Sequence, residues 1–166
     1  MYVTARVSEE EARLGLSRKR TLKVELIYLP FYLCEVEWVG EAGSRQVTVA
    51  LDGLLGDNLF FVPADMNYRD RVEQPVCPFV LPEPEARRIA MERYRWQQLE
   101  LGLRLKQKAR VGKIIGVKQI YYPFWVGYFQ RKRRYDFRLI DAVSAESPGV
   151  KTRRLFLAGL RYLNNT

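Results

Sequence analysis

The segment Ile27-Tyr28-Leu29-Pro30-Phe31-Tyr32-Leu33 returns 93 residues later as Ile120-Tyr121-Tyr122-Pro123-Phe124-Trp125-Val126. A second echo follows each copy in the same order: Leu51-Asp52-Gly53-Leu54-Leu55-Gly56-Asp57, then Ile140-Asp141-Ala142-Val143-Ser144-Ala145-Glu146. Two matches in one order point to an internally duplicated unit, which constrains the fold more than any single motif. The proline inside each aromatic stretch adds a second constraint. Proline has no amide donor, so Pro30 and Pro123 mark an edge, a bulge or a bend between strand segments.

Local patterns supply the elements of each unit. Ser8 with Glu11 three residues on is a capping box, three acids occupy the first turn, and Arg18-Lys19-Arg20 suits the other end, so residues 8–19 are expected to be helical. Residues 22–39 and 46–51 alternate as strands, with a turn at 40–44, and 58–62 read as a short third strand. Residues 63–83 hold Pro63, Pro75, Pro78 and Pro82 and read as a connector that packs along the surface. A helix is expected over 84–106. There Ile89, Trp96, Leu99 and Leu103 share one face, and most of the arginines lie elsewhere. Leu99, Leu101, Leu103 and Leu105 also alternate as a strand would, and Gly102 weakens a helix by about 1 kcal/mol. The surrounding good helix formers favour the helix. Strands at 114–130 and 135–140 and a helix at 151–163 complete the second unit.

The expected fold is α+β: two αββ-type repeats, residues 1–62 and 84–166, joined by the connector 63–83. A hairpin with one helix is marginal alone, so the repeats are expected to bury their apolar faces against each other with pseudo-twofold symmetry, antiparallel strands in one layer and helices in the other.

Composition narrows the function classes. The chain has 166 residues, 48% of them apolar, and no run approaches the roughly 20 apolar residues of a membrane-spanning helix. No integral membrane insertion is expected, and the N-terminus carries no signal pattern, which predicts a cytoplasmic protein. There is no histidine, so the chain itself can build neither a Ser-His-Asp triad nor a histidine metal site. Cys34 and Cys77 are too few for a structural zinc site and read as buried thiols, although one disulfide between them stays open. No cofactor is expected.

Three constellations are candidates for function. Tyr121, Tyr122, Phe124 and Trp125 have the chemistry of a platform for bases or a peptide; aromatic residues in strands also serve simply as packing. Arg131-Lys132-Arg133-Arg134 forms a basic hairpin tip flanked by Tyr128, Phe129 and Tyr135, with Lys118 on the same strand. Those are the ingredients of a nucleic-acid or other anion surface, and also of a solvated turn. The net charge of +9 is uneven: residues 1–83 hold 9 basic and 13 acidic side chains, and residues 84–166 hold 19 and 6. Asp52 and Asp141 end equivalent return strands. They could work as an acid–base pair if they met in space, or each could close its own turn.

The run Asp141-Ala142-Val143-Ser144-Ala145-Glu146, following a helix and strands, resembles the end of PepSY-like domains, in which a helix and an antiparallel sheet finish on an aspartate and a "tGe"-like turn. Gly56 keeps the family's glycine in the first copy, and Ala145 replaces it in the second. The resemblance implies a non-catalytic binding or inhibitory module. Those domains are mostly exported, whereas no signal segment is read here. The Tyr-Tyr-Pro-Phe-Trp segment also resembles repeated aromatic strands of uncharacterised bacterial proteins and carries no activity with it.

The chain is therefore expected to bind rather than catalyse. A protein or peptide partner would be held through the edges of the aromatic strands. Nucleic-acid binding by the basic second half is the alternative, and an enzyme at the interface between repeats is the third. A homo-oligomer stays open.

Overall fold

The structure, a computed structural model, describes residues 1–16, 21–40, 43–57, 59–61, 66–105 and 110–163. The elements are β1 (Tyr2–Val3), α1 (Glu9–Leu16), β2 (Thr21–Gly40), β3 (Gly43–Asp52), β4 (Leu59–Phe61), β5 (Tyr68–Arg69), α2 (Glu83–Leu105), β6 (Arg110–Arg131), β7 (Arg134–Asp141) and α3 (Val150–Leu163). Among the described residues they form a mixed α/β fold with a seven-stranded sheet and three helices. The strand order is β4-β3-β2-β6-β1-β5, with β7 also paired to β6. The sheet is not wholly antiparallel as expected, because β1 joins β6 in parallel, Tyr2 opposite Tyr121. No helix among the described residues is long and apolar enough to cross a membrane.

Among the described residues every expected helix and strand appears, and the predicted limits at 17–19, 58, 62 and 106, with 41–42 of the expected turn, lie outside the described residues. β1 and β5 were not foreseen. Two residues are too short for any periodicity to register. The prolines do not interrupt β2 or β6. The β2–β3 ladder starts at Phe31 opposite Asp52, and the β6–β7 ladder starts at Phe124 opposite Asp141. Pro30 and Pro123 each stand one residue outside that ladder, where no hairpin bond requires the missing N–H.

The chain divides into two compact units that do not follow chain order. One holds Met1–Pro30, Asp65–Pro78 and Tyr121–Thr166; the other holds Phe31–Ala64 and Phe79–Ile120. Each long strand therefore contributes one half to each unit.

In the first unit, the predicted capping box forms. The Ser8 N–H and O–H both donate to Glu11 Oε2 at 2.8 Å, and the Glu11 N–H returns to Ser8 Oγ at 3.3 Å. These bonds hold the Glu11 carboxyl below its ordinary pKa. α1 turns Ala12 and Leu16 inward onto Trp125, Ile140 and Ala142. The absence of a side chain at Gly127 allows this approach, since a Cβ there would lie 3.0 Å from Leu16 Cδ1. The Trp125 indole N–H donates to the Val7 carbonyl at 2.9 Å. The 75–77 stretch of the expected connector joins this unit as a parallel bridge: Tyr28 N–H donates to Pro75, and Cys77 N–H donates to Tyr28, both at 2.9 Å.

In the second unit, α2 lays Ala86, Ala90 and Tyr94 on Tyr32, Cys34, Val36, Val49 and Leu51. The two alanines keep the helix close to the sheet. The Tyr32 hydroxyl donates to the Leu81 carbonyl at 2.6 Å.

Candidate functional site

The two aspartates close turns. Asp52, fully buried, ends β3. Its Oδ1 accepts the N–H groups of Leu54, Leu55 and Gly56 at 3.1, 2.6 and 3.0 Å, and its Oδ2 accepts that of Asp57 at 2.7 Å. A carboxylate so enclosed by backbone donors shapes a loop. Asp141 does similar work at the end of β7. Its Oδ1 accepts Val143 N–H at 2.8 Å and Ser144 N–H at 3.0 Å, and both oxygens lie 3.1 Å from the Tyr122 hydroxyl that donates to them. Four residues past each aspartate the backbone enters the left-handed region, at Gly56 (φ 65°) and Ala145 (φ 64°).

The aromatic run faces inward. Tyr122, Phe124 and Trp125 are buried, and only Tyr121 is half-open, with its ring stacked on Tyr2 at 4.9 Å between centroids. Burial, reinforced by Asp141, pushes the Tyr122 hydroxyl well above its ordinary pKa. The expected platform is therefore a set of packing side chains at three of its four positions. β2 and β6 have neighbours on both sides in the sheet, and the aromatic segments themselves are paired, to β3 from Phe31, to β7 from Phe124, and by bridges at Tyr28 and Tyr121.

The basic residues separate. Lys132, Arg133 and Arg134 are exposed at the β6–β7 tip, with Lys132 at φ 57°; the Arg131 side chain lies outside the described residues. Of the aromatic neighbours, Tyr135 is 78% exposed, Phe129 is buried, and Tyr128 donates to Glu25 Oε1 at 2.6 Å. Lys118 belongs to the other unit, where its ammonium lies 3.4 Å from Glu35. β7 itself has a guarded edge. Arg153 of α3 donates to the Phe137 carbonyl at 2.9 Å and to Asp136 at 2.6 Å, and its guanidinium covers the Phe137 ring at 4.2 Å.

Cys34 and Cys77 are free and buried, and burial raises their thiols to about 11 and about 12. Among the described residues, no group of three or more His, Cys, Asp or Glu side chains is placed to hold a metal.

The clearest surface feature is one that the sequence pattern pointed the wrong way. Of the face formed by Ile89, Trp96, Leu99 and Leu103, only Ile89 packs on the core. Trp96, Leu99 and Leu103 are 67%, 54% and 75% exposed. They run down the side of α2 away from Ala86, Ala90 and Tyr94, roughly 150° around the helix at 100° per residue. Arg88, Met91, Glu92, Arg95, Trp96 and Leu99 line an open cleft of about 510 Å³ along this side. The signal that could have found it is the Ala86, Ala90, Tyr94 series at i, i+4, i+8, because small residues mark the side of a helix that lies closest to a sheet.

Comparison with known proteins gives no match: no family model, no curated protein and no solved structure is similar to this chain.

Proposed function

We propose that this chain is an internally duplicated, non-catalytic protein-binding module that docks an apolar partner surface on the outward face of α2. The observation that carries the reading is the exposed Trp96, Leu99 and Leu103 stripe. Scattered exposed apolar residues are ordinary, but a contiguous stripe containing a tryptophan on one helix face marks an interaction surface. A cytoplasmic location belongs to the same proposal and fits two free thiols. The PepSY-like relationship remains part of it too, supported by the two aspartate-closed turns.

Paired contacts support the duplication. Tyr32 O–H to the Leu81 carbonyl and Trp125 N–H to the Val7 carbonyl occupy matching places, since 32 and 125 differ by the 93 of the aromatic repeat. Val80 and Leu81 N–H donate to the Gly53 carbonyl, and Arg6 and Val7 N–H donate to the Ala142 carbonyl. Tyr28 takes a parallel partner at Val76, and Tyr121 takes one at Tyr2. In this reading each unit combines the helix of one repeat with the hairpin of the other.

The docking reading is tested by placing a photo-crosslinking residue at Leu99 in the full chain in cells, with the similarly exposed Leu22 as control. Discrete adducts from position 99, absent from position 22 and lost with Leu103→Asp, are the expected result. Equal labelling from both positions would sink it.

A second reading, nucleic-acid binding, rests on the exposed Lys132, Arg133, Arg134 and Tyr135 at one hairpin tip. It predicts binding to labelled single- or double-stranded nucleic acid that weakens steeply with salt, with a log–log slope of about −0.7 to −0.9 per phosphate neutralised, and that is lost when residues 131–134 are neutralised. Binding unaffected by that change removes the tip from consideration.

A further inference from the structure

The outward face of α2 has the spacing of a coiled-coil seam. Trp96, Leu99 and Leu103 stand three and four residues apart, the a–d–a pattern at which two helices mesh. They fall within roughly 60° of arc at 100° per residue. Arg95 then takes the flanking position on one side of the seam and Glu100 the flanking position on the other, and both are exposed. In a parallel, in-register pair of such helices, a residue at the first flank faces the residue five positions on in its partner. Arg95 of each copy would therefore meet Glu100 of the other, once on either side of the seam.

We propose that this seam closes on itself, so that the chain forms a twofold homodimer through α2 of a second copy. The inference rests on the α2 docking surface proposed above and names its occupant. Three observations favour a second copy over an unrelated partner. The flanking charges are self-complementary, as a twofold interface requires. α2 carries 5 basic and 4 acidic residues in a chain of net charge +9, so little of the repulsion between two copies originates on this helix. The exposed apolar stripe is on the order of 400 Å² per chain. Two such stripes give about 800 Å² before their polar rims are counted, the size of a weak, concentration-dependent interface. One heptad earlier Arg88 would face Arg93. Arg93 is tied to Asp57 at 3.0 Å, and Arg88 to Glu85 and Glu92 at 2.9 and 3.4 Å, so that clash is neutralised within each chain. The contact is confined to residues 95–103.

The test is the mass of the full chain in solution by sedimentation or light scattering across a concentration series. The wild type is expected to move from the 19.5 kDa monomer to twice that mass below about 100 µM. Leu99→Asp and Leu103→Asp each hold it at the monomer mass, with an unchanged helical circular dichroism spectrum because both side chains are solvent-facing. Arg95→Glu weakens the dimer about tenfold, and adding Glu100→Arg restores it. A wild type that stays monomeric at about 100 µM overturns the proposal, as does a dimer that survives both aspartate variants. A dimer indifferent to Arg95→Glu overturns the parallel register. A monomer that still gives Leu103-dependent adducts from position 99 removes the second copy and leaves the docking surface standing. A monomer with no such adducts removes both.

Discussion

Replacing Asp52 by alanine should destabilise the protein more than the same change at Asp141, and the difference follows from counting donors. Asp52 accepts four backbone N–H bonds. Those from Leu54 and Gly56 are buried, and those from Leu55 and Asp57 are partly buried. A buried donor stripped of its acceptor costs about 1–3 kcal/mol, whereas a donor that water can reach costs a fraction of that. Two of each kind give roughly 4 kcal/mol for Asp52→Ala. Asp141 accepts Val143 N–H in a partly buried place and Ser144 N–H in an exposed one, together with the Tyr122 hydroxyl. Water can satisfy most of these after Asp141→Ala, so about 2 kcal/mol is expected. Asp52→Asn keeps the oxygen that serves three donors and turns an amide N–H₂ toward the fourth, so its cost should fall between wild type and alanine. Urea unfolding followed by circular dichroism gives the comparison, with midpoints converted at a common slope. An Asp52→Ala cost within about 1 kcal/mol of wild type would refute the account, since the loop would then hold its shape without the carboxylate. An Asp141→Ala cost equal to or above that of Asp52→Ala would refute the role assigned to burial.

Three further outcomes are expected. Gly56→Ala should cost about 1–2 kcal/mol, because the backbone there is left-handed and the new Cβ would lie 3.1 Å from Ile89 Cδ1; Ala145→Gly should instead gain up to about 1 kcal/mol, and thermal melts that move in the same direction for both would contradict this. Cys34 and Cys77 should resist a thiol reagent at neutral pH in the folded protein and react on unfolding. Their folded-state pKa values of about 11 and about 12 lie above the ordinary 9.0, so the folded state binds more protons above pH 9.0; the stabilisation is complete below pH 9.0 and is lost as pH rises toward 11–12. The urea midpoint should fall across that window less steeply in Cys34→Ala and Cys77→Ala than in wild type, and equal slopes would dismiss the thiols as the cause. Finally, cutting the folded full chain at a protease site introduced into the mostly exposed residues 70–73 should leave the fragments co-eluting, because Met1–Pro30 and Tyr121–Thr166 belong to one unit. Separation of the fragments without denaturant would contradict the exchange of halves.

Much of the local structure was legible in the sequence because local chemistry decides it. Ser8 and Glu11 fix the start of α1 through bonds three residues apart, and the alternation on either side of Pro30 and Pro123 survives because neither proline is asked for a ladder bond. The site was harder to see. Leucine and tryptophan weigh heavily in any apolar pattern, and alanine weighs little, so the face of α2 with the larger side chains looked like the core side. Packing reverses that: Ala86 and Ala90 let the helix reach the sheet, and Trp96, Leu99 and Leu103 are left outside. The aromatic run was legible as strand and misleading as surface. Tyr122, Phe124 and Trp125 are large enough to fill a core, and their polar atoms, where present, find partners inside it.

Which helix packs on which hairpin is not written in the order of the chain, and the reason it is settled lies in volume. Under the proposed duplication, Leu16 corresponds to Ala90 and Gly127 to Cys34. The large Leu16 closes on the bare Gly127, and the small Ala90 shares a core with Cys34. Returning each helix to its own hairpin would set Leu16 against Cys34, adding atoms to a filled space, and Ala90 against Gly127, leaving a void. Overpacking and cavities each cost about 1–3 kcal/mol or more, so the exchanged arrangement is favoured at both places at once. The same reciprocity appears in the polar contacts, where Trp125 reaches the Val7 carbonyl and Tyr32 the Leu81 carbonyl. Under the proposed duplication the two repeats differ in opposite directions at this contact, and that misfit favours the observed pairing of helix and hairpin.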